Sequence, residues 1–65
     1  AEERLDVQMA FKRLPEEVLE VAVLYFLQEQ KQKDIAVMLG IGLPLVKYRI
    51  RRARELLAGY LGDGE

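Results

Sequence analysis

Apolar residues recur along the chain at three- and four-residue intervals, with none of the strict alternation that a half-buried strand requires. Four helical segments follow from that spacing. The first, from about Leu5 to Arg13, places Leu5 and Met9 on one side and ends before Leu14-Pro15. The residue ahead of a proline is pushed out of the helical region. Pro15 suits the first position of the second helix, where its missing N–H costs nothing, and Glu16 and Glu17 follow beside the positive end of the helix dipole. This second helix is expected to reach about Gln28, and the polar run QEQKQ then makes a short connection. A third helix over about Gln32 to Leu39 puts Ile35, Ala36 and Leu39 on one face, and Gly40 is placed to stop it in a left-handed cap. Gly42-Leu43-Pro44 opens the last helix, which is expected to run to about Tyr60, with Gly59, Gly62 and Gly64 marking a fraying end.

The last helix has a readable wheel. At about 100° per residue, Leu43, Val46, Ile50, Ala53 and Leu57 share one side, with Leu56 at its edge. Pro44, Tyr48, Arg51 and Glu55 point the opposite way, with Lys47 and Arg52 beside them and Arg49 and Arg54 on the flanks. The second helix is different. Between Val18 and Leu27 Glu20 alone is charged, and the apolar side chains span about 200° of its wheel. An amphipathic surface helix needs a stripe of only ~100°. The surplus marks this helix as an expected protein-docking surface, with Leu19 and Tyr25 at the flanks of the sector.

Length and composition narrow the class. The chain of 65 residues fits one small all-α domain over 1–65, with its core at about 5–61. It contains no Cys and no His, which removes disulfides, the usual zinc ligands and the usual nucleophile–base pairs. No cofactor and no metal are expected, and an enzyme is not. The chain opens AEERLDV, without an initiator Met and without an apolar run, so it is read as a piece of a larger protein lacking a secretory signal there. The most apolar segment is too short to cross a bilayer, so no membrane partner is expected.

Charge changes the picture more. The net charge is only −1. Residues 1–34 carry five basic and eight acidic groups, net −3, and residues 55–65 carry three acidic groups, also net −3. Residues 35–54 carry five basic groups and no acidic one, net +5. Such asymmetry predicts an electrostatic partner for the last helix. Within that helix, Arg51 and Glu55 have the spacing of an i,i+4 pair, which leaves Lys47, Arg49, Arg52 and Arg54 without an acidic partner at that spacing.

A short helix, a Gly-centred turn and a second helix with a basic outer face make a helix-turn-helix pattern, here homeodomain-like and without a wing. The second helix of such a pair enters the major groove of double-stranded DNA, where its side chains reach base edges. Flanking cations neutralise phosphates and release counterions. Three segments, LPEEVLEVAVLYF (14–26), KDIAVMLGI (33–41) and VKYRIRRARELL (46–57), together with their spacing, carry a family likeness. The chain resembles region 4 of bacterial sigma factors of the sigma-70 family, especially the extracytoplasmic-function group, over about Leu14 to Leu61.

The resemblance implies recognition of the −35 promoter element and docking on the flap of the RNA polymerase β subunit, in the bacterial cytoplasm. It implies base-reading or groove-lining roles for Lys47, Tyr48, Arg51 and Arg52, the outer face that the wheel also selects. Lys31, Gln32 and Lys33 would hold backbone phosphates, as would the flanking Arg49 and Arg54. An anti-sigma factor is a further expected partner. Departures from the family pattern are specific: Leu45 stands where Thr is usual, Tyr48 where Ser is usual, and Lys31 where a Ser caps the helix. Leu19 and Tyr25 stand where relatives often carry Arg. Two rivals share the pattern. A regulator of the response-regulator output type has a similar Ile-Ala helix, and a sigma-like protein-interaction module would keep the fold while reading DNA poorly.

Overall fold

A computed structural model describes the backbone of residues 8–62 and the side chains of residues 8–60. Every element in that range is helical, and among the described residues there is no strand, hence no wing. Helix α1 is described over residues 8–12; its expected start near Leu5 lies outside the described residues, as does Gly64. Helix α2 covers Glu16–Ala22 and continues without a break into a π-helical segment, Val23–Leu27. Helices α3 and α4 cover Gln32–Leu39 and Leu43–Gly62.

The boundaries follow from backbone chemistry. Pro15 has φ −56° and ψ 149°, so it is the extended residue just outside α2, one position earlier than its expected place. Its carbonyl accepts the first helical bond, from the Leu19 N–H at 2.7 Å. Gly40 ends α3 with φ 67°. The Ile41 N–H reaches back to the Ala36 carbonyl at 3.0 Å, and the Gly40 N–H to that of Val37 at 3.3 Å. This reciprocal pair satisfies carbonyls that the helix end would otherwise orphan. Gly42 then starts α4, its carbonyl accepting from both Leu45 and Val46. Pro44 sits in that first turn, where no bond is lost. Helix α4 passes through Gly59 to Gly62, two residues beyond the expected end. Its 20 residues, ~30 Å at 1.5 Å each, account for most of the 35 Å length of the molecule.

Two apolar clusters hold the helices, and α4 lies along both. One joins Phe11, Leu14, Val18, Ala22 and Ala53, with Leu56, Leu57 and Tyr60 packed against it. The other joins Val21, Ile35, Val46 and Ile50, with Leu39 and Ile41 against it. Phe26 touches both. At the far end of α4, the Tyr60 hydroxyl donates to the Arg13 carbonyl at 3.4 Å and the Arg13 guanidinium lies 4.6 Å from the Tyr60 ring centre. The C-terminal half of the helix is thus tied to the α1–α2 turn.

The wide apolar arc of α2 is largely covered, contrary to the expectation of an exposed patch. Val18, Val21 and Ala22 are buried, and Leu19 and Val23 to Phe26 are half-buried. Of the apolar residues between 18 and 27, Leu27 alone is in the open, at 58% exposure. The reason is the π turn. Closure from the Gln28 N–H to the Val23 carbonyl, at 3.0 Å, takes one more residue than an α turn. Val23 packs into the first cluster and Leu24 and Tyr25 into the second. A run with no single apolar stripe is therefore shared between two cores.

Candidate nucleic-acid interface

The helix-turn-helix unit is α3, the Gly40–Gly42 turn and α4. Ile35, Val46 and Ile50 lock the two helices together at 0%, 0% and 3% exposure. This packing fixes which side of α4 faces outward. Lys47, Tyr48, Arg51 and Arg52 are all exposed, and Pro44 and Glu55 with them. The wheel assignment of the inward side holds as well: Leu43, Leu56 and Leu57 are half-buried beside the buried Val46, Ile50 and Ala53.

Pairing on that face differs from the sequence expectation. Glu55 meets Arg52, at 3.3 Å and one turn back, rather than Arg51. Residues three apart are as close on a helix surface as residues four apart, and here the shorter spacing wins. Arg51 has no ion pair among the described residues. The two flanking arginines lean towards α2. Arg49 lies 3.8 Å from Glu17, with its side chain only 18% exposed. Arg54 places its guanidinium 5.8 Å from the Phe26 ring centre while staying exposed. The counter-ion Glu17 was not foreseeable from local spacing, because it comes from a different helix.

At the start of α3, Lys31 and Lys33 are exposed and Gln32 is half-buried. Lys31 is the extended residue before the helix, φ −74° and ψ 151°, and no side chain caps the first N–H groups. Those donors and two lysine ammonium groups are all suited to an anion. Leu45, at 37% exposure, belongs to the outer side as well. Its position three before Tyr48 is the signal that finds it. Leu19 and Tyr25, the expected docking residues, are half-buried: Leu19 against the first cluster, Tyr25 against the second and edge-on to Phe26 at 5.0 Å.

Among the described residues no helix is long and apolar enough to cross a membrane. Comparison with curated proteins and with solved structures gives no match. The family described as Sigma-70, region 4, matches residues 4–57, a span that contains α3, the turn and α4 as far as Leu57. That match places the chain with sigma factors rather than with response-regulator output domains, and with a DNA-binding regulatory family rather than a catalytic one. The chain belongs to the sigma-70 region 4 family, and its role is that of a sigma-factor domain that binds DNA in promoter recognition.

Proposed function

We propose that this domain reads the −35 element for a sigma factor of the extracytoplasmic-function type and docks on the flap of the polymerase β subunit in the bacterial cytoplasm. The observation that carries the reading is the outer face of α4, where Lys47, Tyr48, Arg51 and Arg52 stand exposed on a segment, 35–54, with no acidic residue. Lys47 and Arg51 have no ion pair among the described residues, and unpaired like charge is costly in isolation and favourable beside phosphate. With α4 in the major groove, Arg51 is the side chain best able to reach a guanine with both arms of its guanidinium, because nothing on the described surface holds it back. Arg52 has to leave Glu55 first. Lys31, Gln32 and Lys33 at the open start of α3, together with Arg54 and the more enclosed Arg49, hold the backbone.

The docking side of the proposal uses α2 and its π turn. Leu19 and Tyr25 border the covered arc, and the exposed Leu27 extends it. The polymerase flap occupies this surface, and an anti-sigma factor would compete for it. The whole of 1–65 acts as one unit in both contacts.

The test is titration of the chain against a duplex selected from a promoter library and against a scrambled duplex, over a range of salt. Preference for the selected duplex, with log affinity falling linearly in log salt by about 0.9 per phosphate contacted, is expected. Equal affinity for the two duplexes sinks the promoter-reading role, and failure of a flap fragment to bind sinks the docking role.

A further inference from the structure

We infer that Leu45 and Tyr48 form an apolar pair that recognises the 5-methyl groups of thymines, so that this chain's preferred duplex carries two methyl-contact positions one or two base pairs apart. The inference rests on the reading of α4 as the major-groove helix. Three observations carry it. Leu45 and Tyr48 are 37% and 59% exposed. Neither side chain belongs to either apolar cluster, so the two cores do not account for the apolar surface that they leave exposed. On the wheel Arg52 falls between Leu45 and Tyr48, and Arg51 on the far side of Tyr48, all exposed, and the charge of that face selects a polyanion over an apolar protein partner.

Geometry supplies the spacing. Residues three apart on a helix have Cβ atoms ~5–6 Å apart, and base pairs stack at ~3.4 Å along a strand. One or two base steps therefore separate what the two side chains touch. In the major groove thymine alone of the four unmodified bases offers a methyl group, and an apolar side chain discriminates through it. The aromatic ring of Tyr48 covers a methyl with its face or edge, and its hydroxyl stays towards the groove water. Arg51 and Arg52, on either side of Tyr48 around the helix, hold the neighbouring phosphates or guanine edges. The methyl readers are thus bracketed by cations.

Deoxyuridine tests this without touching the protein, because it removes the methyl and leaves the hydrogen-bonding edge of the base unchanged. A preferred duplex is first selected from a random library with the full chain, and each thymine is then replaced singly by deoxyuridine. Two positions, no more than two base pairs apart, are expected to lose affinity about fourfold each, equivalent to ~0.8 kcal/mol for one buried methyl-sized group. Leu45→Ala is expected to abolish the effect at one of them and Tyr48→Ser at the other, both variants keeping the helical circular dichroism of the parent. Selective binding with no uracil-sensitive position overturns the inference and leaves the promoter-reading proposal standing. Sensitivity that survives in both variants also overturns it, since other residues then read the methyl. An absence of any selective duplex removes the promoter-reading proposal itself, and the inference with it.

Discussion

The same substitution, glycine to alanine, should change stability in opposite directions at Gly40 and Gly59. An added Cβ meets no atom within 4 Å at either position, so packing plays no part in the difference. Backbone conformation decides. Gly40 has φ 67°, a left-handed geometry that costs an L-residue ~1–2 kcal/mol. Alanine recovers ~0.4–1 kcal/mol of that by having fewer unfolded conformations, which leaves a net loss of about 1 kcal/mol. Gly59 is inside α4, where alanine gains ~0.5–1 kcal/mol over glycine; three residues from the helix end, the lower value applies. A domain of this size has a total stability of ~3–10 kcal/mol, and its melting temperature moves by ~4–8 °C per kcal/mol. Thermal unfolding followed by far-UV circular dichroism should therefore show Gly40→Ala melting ~4–8 °C lower and Gly59→Ala ~2–4 °C higher. Gly40→Asn should fall less than Gly40→Ala, because Asn tolerates this region better. A rise for Gly40→Ala, or a fall for Gly59→Ala, would refute the reasoning that φ alone sets the sign.

Other outcomes follow from the ends of the helices and from their exposed faces. Glu29 is the one non-glycine residue with positive φ among the described residues, at 56°, so Glu29→Gly should raise stability by ~0.5–1 kcal/mol in urea unfolding. Lys31→Ser supplies the side-chain oxygen that the start of α3 lacks and should stabilise by ~0.5–2 kcal/mol, while reducing the magnitude of the salt dependence of DNA binding by about one phosphate's worth; an unchanged salt slope would clear Lys31 of phosphate contact. Arg51→Ala should cost ~1–3 kcal/mol on the selected duplex and little on random DNA, and Arg52→Ala should cost less, because the native Arg52 first gives up Glu55. Leu27→Arg should keep the parent melting temperature and lose flap binding in a pull-down, whereas Leu19→Arg should also lower stability, because Leu19 is half-buried; a Leu27→Arg variant that binds the flap normally removes this surface from the docking role.

Much of this arrangement is legible in the sequence, for reasons that differ by element. Helix α3 and its stop follow from local chemistry alone: Ile35 and Leu39 set the period, and Gly40 is the residue that a left-handed cap favours. The inward face of α4 is equally local, since Val46, Ile50 and Ala53 need only the helical repeat to fall together. The outward set Lys47, Tyr48, Arg51 and Arg52 is its complement. What the chain conceals is non-local. Whether Glu55 pairs with Arg51 or Arg52 depends on rotamers of similar energy, and the approach of Glu17 to Arg49 depends on how α2 crosses α4. The π turn at Val23–Leu27 is the largest surprise, because an apolar run fits an α period and a wider one about equally well on paper. The same ambiguity hides from the sequence that the fold covers most of this surface.

The π turn gives the molecule a phase as well as a covered surface. Five residues close a ring that an α-helix would close with four, so the chain leaves α2 one residue out of step with the helix that entered it. The residues after Gln28 follow from that offset, including the direction in which the chain leads into α3. The Gln30 N–H, bonded to the Leu24 carbonyl at 2.9 Å, fixes the exit. Deleting one residue between 23 and 27 would leave a chain able to form a longer and more regular helix. The same turn would then close with four residues, so the exit would keep roughly its direction, while the apolar run would lose the extra residue that lets it reach both clusters.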